Sequence, residues 1–225
     1  MPLAATRRTG LVEQVIDQLR ASVRTGEWPV NTKIPTEPTL AETLGVGRNT
    51  VREAVRALAH SGILEVRQGD GTYVRATSEV SGALHRLCGN EFRDVLQVRR
   101  CLEVEGARLA AAARTDTDLT DLWQLLERSE TLRNGGPAAD FARADADLHF
   151  AVMRSSHNPV LTELYRGLTE VVSASVITTT EDPPAAGLAR HRGLIEAIAA
   201  QDVERAGREA GGFLDELLNR LSGEG

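Results

Sequence analysis

The chain is 225 residues long, 41% apolar and carries a formal net charge of −6, enough apolar content for one large or two small packed domains and too much for a disordered chain. No apolar run approaches the roughly 20 residues that span a bilayer, and the opening "MPLAATRRTG" has two arginines without the apolar run of a signal peptide behind them. Two cysteines, Cys88 and Cys101, make no disulfide framework, and no C-x-x-C pair offers a structural zinc site, so a reduced, cytoplasmic protein with no membrane association is expected.

Charge is unevenly spread. Residues 1–75 hold 10 basic and 8 acidic side chains, whereas the remaining 150 hold 16 and 24, a division into +2 and −8. Lys33 is the only lysine; every other basic side chain is arginine. The split predicts two modules with different partners.

The first predicted element is an amphipathic helix in "LVEQVIDQLRASVRTG", where Leu11, Val15, Leu19 and Val23 recur every fourth residue and Gly26 lies beyond the end. "EWPVNTKIPTEPTL", with three prolines, reads as loop. Thr36 can cap a short helix, "EPTLAETL", that tolerates Pro38 in its first turn and stops at Gly45. A further helix runs from about Arg48 to His60 and ends at Gly62, with Val51, Val55, Leu58 and Ala59 as its apolar stripe. Arg48, Arg52 and Arg56 fall four apart on the other side. "ILEVRQGDGTYV" follows as a β-hairpin with Asp70-Gly71 at its tip.

Helix, short helix, turn, helix and hairpin is the order of a winged helix-turn-helix, whose second turn helix enters the DNA major groove. Arg48 and Thr50 stand at the N-terminus of that helix, where base edges are reached, and Arg52 one turn on, placed for base or phosphate. A row of arginines in an acidic chain is thereby explained: positive charge gathers where a polyanion docks.

The segments "KIPTEPTLAETLGVGRNTVREAVRALAHSGILE" and "RQGDGTYV" resemble the GntR family of bacterial regulators. The resemblance implies DNA contacts at the start of the recognition helix and the wing tip, which fall on Arg48, Asn49, Thr50, Arg52, Gln68 and Gly69. Two positions depart from the family pattern. Gly47 replaces a frequent Ser or Thr, and Pro38 replaces a frequent DNA-touching Arg, so the operator need not be that of relatives.

From about Glu79 to Leu221 the pattern is helical throughout, in six or seven segments broken near 88–90, 114–118, 133–137, 156–159 and 181–187. Short loops between amphipathic helices predict an antiparallel all-α bundle. The expected organisation is therefore a winged helix-turn-helix at 1–75, a linker at 76–80 and an all-helical effector-binding and dimerisation domain at 81–225. Phe92, Val95, Leu96, Leu102, Leu109 and Ala110 form one apolar face, and Arg99 shares it. Phe141, Leu148 and Val152 form a second, flanked by Asp145 and His149. Leu188, Leu194, Ile195 and Ile198 form a third, with His191 among them. Ionisable groups on inward faces are costly unless paired or ligated, so four of them on three helices predict a shared polar cavity. Asp145, His149 and His191 suit a divalent ion such as Zn, Ni or Mn. Arg99 suits a carboxylate ligand or, equally, an internal pair with Glu103. His85 and Cys88 read as structural, His157 as exposed, Asn158-Pro159 as a helix start, and Trp28 and Trp123 as packing residues.

The helical part resembles the FCD domain, the ligand-sensing module of the FadR subfamily of GntR regulators, through "VRRCLEVEGARLAA", "DADLHFAVMRSSHNP" and "RHRGLIEAIAAQDVERA". The resemblance implies a metal held by Asp145, His149, His191 and one more histidine, beneath a pocket for a small carboxylate that Arg99 would meet. The slot of that last histidine holds Phe213, which cannot ligate. Three protein ligands can still hold a metal if water or effector completes the shell; alternatively the site is vestigial and the ligand metal-free. The reading is a homodimeric transcriptional repressor on a double-stranded, pseudo-palindromic operator, released by a small organic acid. Its alternatives are a metal-dependent hydrolase with an appended DNA-binding domain, and a regulator whose helical domain no longer senses.

Overall fold

Leu11–Arg24 forms helix α1 and buries Val15, Leu19 and Val23; the first member of the expected stripe, Leu11, stays 53% exposed at the end of the helix. Glu37–Leu44 forms α2, capped by Thr36 Oγ1, which accepts from the Thr39 N–H, and closed by Gly45 in the left-handed conformation at φ 65°. Arg48–His60 forms α3 and buries Val51, Ala54, Val55 and Leu58. These faces close on Ile34, Leu40, Ile63, Leu64 and Val74 in one apolar core, with Trp28 and Ala59 packed at its margin. Full burial of each such Leu or Ile contributes about 1.5–3 kcal/mol, and this core fixes which face of α3 turns outward.

Strands β1 (Leu64–Arg67) and β2 (Gly71–Val74) form the antiparallel wing, with Leu64 opposite Val74 and Arg67 opposite Gly71. The turn is Gln68-Gly69-Asp70, so the tip lies earlier than the Asp70-Gly71 expectation. Gly69 takes the left-handed conformation at φ 77° and the Asp70 N–H donates to the Arg67 carbonyl at 3.1 Å, which closes a three-residue loop. The segment read as loop does more than connect. Asn31 and Ile34 donate to the Val74 and Thr72 carbonyls at 2.8 and 2.9 Å, and Val74 donates back to Thr32 at 3.0 Å, laying 31–34 along β2.

The structure is a computed structural model, and the described residues are 10–88, 92–176 and 187–223. They divide into two units, Met1–Gly89 and Asn90–Gly225. Helix α4 (Glu79–Cys88) belongs to the first. Ser78 and Ser81 cap its start reciprocally: each side-chain oxygen accepts the other's backbone N–H at 3.1 Å. Two glycines let α4 approach the turn after α3. Gly62 sits at φ 85°, and a β-carbon on Gly82 would lie 2.7 Å from the Ser61 carbonyl oxygen.

The second unit contains α5 (Phe92–Ala113), α6 (Asp116–Arg133), α7 (Ala138–Ser155), α8 (Pro159–Val176), α9 (Gly187–Ala199) and α10 (Val203–Gly223). Helix α5 is central and packs against α7, α8, α9 and α10; α6 packs against α7 and α9. The core joins Ala107 and Ala110 of α5, Leu122 and Leu126 of α6, Leu148 and Val152 of α7, Tyr165 of α8, Ile195 and Ile198 of α9, and Ala206 of α10, with Trp123 at its edge. Thr115 and Asp118 form a capping box at the start of α6, and Asn158 Oδ1 accepts from the Val160 and Leu161 N–H groups at the start of α8. Helices α9 and α10 are separated at 200–202. There Gln201 turns left-handed at φ 55° and Asp202 caps α10 by accepting from the Arg205 N–H at 2.9 Å. The expected break at 181–186 and residues 89–90 lie outside the described residues, as do the side chains of Cys88, Phe92, Leu188 and Phe213.

Candidate DNA interface and candidate metal centre

The α3 core face leaves Arg48, Asn49, Arg52 and Arg56 exposed and Thr50 half-buried. Gly47 starts the helix without a side-chain cap, so the first-turn N–H groups remain available to an anion. Arg52 Nε pairs with Glu37 Oε2 of α2 at 3.1 Å, which ties the arginine to the neighbouring helix. Gln68 and Gly69 occupy the exposed wing tip. The wing is braced from behind. Lys33 Nζ donates to the Asp70 carbonyl oxygen and lies 3.3 Å from Asp70 Oδ1, the Tyr73 hydroxyl donates to Asp70 Oδ2 at 2.9 Å, and the Arg67 guanidinium lies over the Tyr73 ring at 4.1 Å. The Tyr73 and Lys33 hydrogen bonds hold the Asp70 carboxyl below its ordinary range. Sequence reading had not picked out this brace, because Lys33 and Asp70 are 37 positions apart.

In the helical unit, α7 carries Asp145 and His149 one turn apart and α9 brings His191 to face them. The three offer ligand atoms that all lie within 4.8 Å of one another. His149 Nε2 and His191 Nε2 are 3.0 Å apart, Asp145 Oδ2 is 3.9 Å from His149 Nε2 and Asp145 Oδ1 is 3.5 Å from His191 Nδ1. His191 Nδ1 is buried and makes no hydrogen bond among the described residues.

Behind His149 lies a second layer. Glu103 of α5 is a buried carboxylate with 2% exposure. Its Oε2 is 3.4 Å from His149 Nδ1, while its Oε1 accepts from Arg99 Nε at 2.6 Å and from the Tyr165 hydroxyl at 2.9 Å. Arg99 thus makes the internal pair with Glu103. Burial alone would raise the Glu103 pKa, but Arg99 and His149 outweigh it and hold the carboxyl well below the usual range. For His149, burial works downward and the Glu103 charge works upward; the charge prevails and the pKa is raised. His191 is lowered to about 4 by burial and by the neighbouring His149. Burial beside Glu103 raises the Tyr165 hydroxyl, which stays a donor.

These residues fit a divalent ion. Two imidazole nitrogens bound to one tetrahedral metal at about 2.0–2.1 Å stand roughly 3.3 Å apart, close to the 3.0 Å separation here. Two nitrogens and a carboxylate form a donor set that binds Zn, Ni or Mn. Elsewhere, His157 stays half exposed and pairs with Asp118 at 2.9 Å, a surface contact between α6 and the α7–α8 turn.

A winged helix-turn-helix with a positive recognition helix, joined in one chain to a helical domain with an inward Asp-His-His cluster, defines a transcription factor of the type resembled above. Comparison with known proteins gives the particular family: residues 11–74 match the bacterial regulatory proteins of the gntR family and residues 94–215 match the FCD domain, and the chain belongs to the GntR regulators that carry an FCD domain. It is 32% identical over 243 residues to the HTH-type transcriptional regulator Mce2R of Mycobacterium tuberculosis (strain CDC 1551 / Oshkosh), covering 97% of this chain and 94% of that one. It is 29% identical over 183 residues to the Glc operon transcriptional activator of Escherichia coli (strain K12), covering 78% and 72%. Among solved structures, Streptococcus agalactiae GntR aligns with a TM-score of 0.55 at 31% identity, over 92% of this chain and 99% of that one. The matches are to transcriptional regulators, which displaces the hydrolase alternative. No described helix is long and apolar enough to cross a membrane.

Proposed function

We propose that this chain is a cytoplasmic, homodimeric repressor whose operator affinity is set by a small organic acid bound in the helical domain. The carrying observation is the convergence of Asp145, His149 and His191, contributed by two helices, within a domain attached to a DNA-binding module. In the DNA-binding module, Arg48, Asn49, Thr50 and Arg52 would read or clamp one half-site while Gln68 and Gly69 of the wing meet the neighbouring groove. Two such modules would meet a pseudo-palindrome. Asp145, His149 and His191 would hold a divalent ion whose open position offers a Lewis-acid anchor for a carboxylate. Arg99 is the candidate arginine for that carboxylate, and contact requires it to share its guanidinium with Glu103. The effector would act through a difference in affinity for two arrangements of the DNA-binding modules.

Fluorescence anisotropy with the chain's own upstream DNA tests the first half: a salt-sensitive, sequence-preferring complex is expected, and equal affinity for a scrambled duplex overturns it. Titrating short hydroxy- and dicarboxylates into that complex tests the second half. Release of DNA by one of them, lost in His149→Ala, is the expected result; an effector that tightens the complex would overturn effector-driven release.

A further inference from the structure

We infer that Glu103 is a positioning residue of the candidate metal centre: held by Arg99 and Tyr165, its second carboxylate oxygen fixes the proton on His149 Nδ1 and so turns the His149 Nε2 lone pair toward His191 and Asp145. The inference rests on the metal reading above and adds a residue to it.

A carboxylate has two oxygens and only accepts hydrogen bonds. Glu103 Oε1 is already committed to two donors, Arg99 Nε at 2.6 Å and the Tyr165 hydroxyl at 2.9 Å. Its other oxygen, 3.4 Å from His149 Nδ1, therefore faces the ring nitrogen as an acceptor. The favoured arrangement puts N–H on Nδ1 and leaves Nε2 as the atom that can ligate. A neutral histidine has one N–H and one lone pair, so fixing one nitrogen decides the other. The 3.0 Å contact between His149 Nε2 and His191 Nε2 gives the direction in which that nitrogen points. Because the three groups around Glu103 come from α5, α7 and α8, the orientation is set by helix packing and not by the ligand cluster itself. Outer partners of ligating histidines orient the ring in this way, and their loss weakens metal binding about 10–100-fold.

Glu103→Gln discriminates between positioning and mere space-filling, since it preserves shape but replaces one acceptor by a donor. With its oxygen toward Arg99 and Tyr165, the Gln amide nitrogen would face His149 Nδ1 and require a lone pair there, which moves the proton to Nε2. Flipped, the amide nitrogen would oppose the Arg99 Nε–H across a 2.6 Å contact.

The experiment uses the full chain in two measurements. Competition with a chromophoric chelator gives Zn affinity, and long-range proton–nitrogen NMR of labelled histidine reports which ring nitrogen of His149 carries hydrogen. The wild type is expected to bind one Zn per chain with hydrogen on His149 Nδ1, and Glu103→Gln to bind about 10–100-fold more weakly with hydrogen moved to Nε2. Wild-type affinity in Glu103→Gln with Nδ1 still protonated overturns the inference and leaves the metal reading intact. A wild type that takes up no Zn overturns the metal reading and, with it, the metal-positioning role of Glu103. If Glu103→Gln does not fold, the Zn-loaded wild type decides: coordination of His149 through Nδ1 overturns the inference, and coordination through Nε2 supports it.

Discussion

Gly82→Ala provides a test in which the sign of the effect is the answer. In an isolated helix the change stabilises, because alanine is better than glycine by about 0.8–1.0 kcal/mol. Here the new β-carbon would lie 2.7 Å from the Ser61 carbonyl oxygen and 2.8 Å from the Gly62 carbonyl carbon. Both are backbone atoms at the tight turn after α3, where Gly62 holds φ 85°, so neither yields cheaply. Relief requires α4 to move away from the turn, and overpacking of this kind costs about 1–3 kcal/mol. The net expectation is a loss of about 1 kcal/mol, which lowers the midpoint of a domain this size by roughly 4–8 °C. Trp28 lies in the first unit and Trp123 in the second, and the chain has no other tryptophan. In a Trp123→Phe background, Trp28 fluorescence therefore follows the first unit alone through thermal unfolding. A higher midpoint for Gly82→Ala would falsify the docking of α4 on the α3–β1 turn.

Four other expectations follow from the geometry. Arg48→Ala should cost about 1–3 kcal/mol of operator binding and much less on a scrambled duplex; equal losses on both in a gel-shift titration would reassign Arg48 to phosphate contact. Asp70→Asn removes a negative charge from the wing and the ion pair that occupies Lys33, whose bond to the backbone carbonyl of position 70 remains, so binding to a scrambled duplex should strengthen and the salt slope steepen by up to about one; anisotropy over a salt series reads both, and no change in either counts against the brace. Tyr165→Phe deletes the hydroxyl that donates to Glu103 and should lower stability by about 1.5–3 kcal/mol, the range for a buried bond to a charged partner; urea unfolding with no change would show that Glu103 does not need it. Zn at 100 times its Kd should stabilise the helical unit by about 2.7 kcal/mol, reversed by chelator; the same gain in His149→Ala would place the ion elsewhere.

Much of this protein was legible in the residues. The four-residue spacing of Val15, Leu19 and Val23 and the stripe of α3 determined two helices and their buried faces, because a helix that meets a core on one side must repeat its apolar residues at that period. Thr36, Gly45 and Asn158-Pro159 marked helix ends because their caps act within a few residues of chain. The Asp145-x-x-x-His149 spacing put two donors on one helical face for the same local reason. The tertiary structure decided what depends on distance across the chain. His191 reaches His149 over 42 positions, Tyr165 reaches Glu103 over 62, and Lys33 reaches Asp70 over 37. Sequence could place Arg99 and Glu103 one turn apart, but only the packing of α7 and α8 on α5 showed that Glu103 is buried and turned toward His149. Local periodicity is written in each segment by itself; the partner of a buried charge is set by which helices the core brings together.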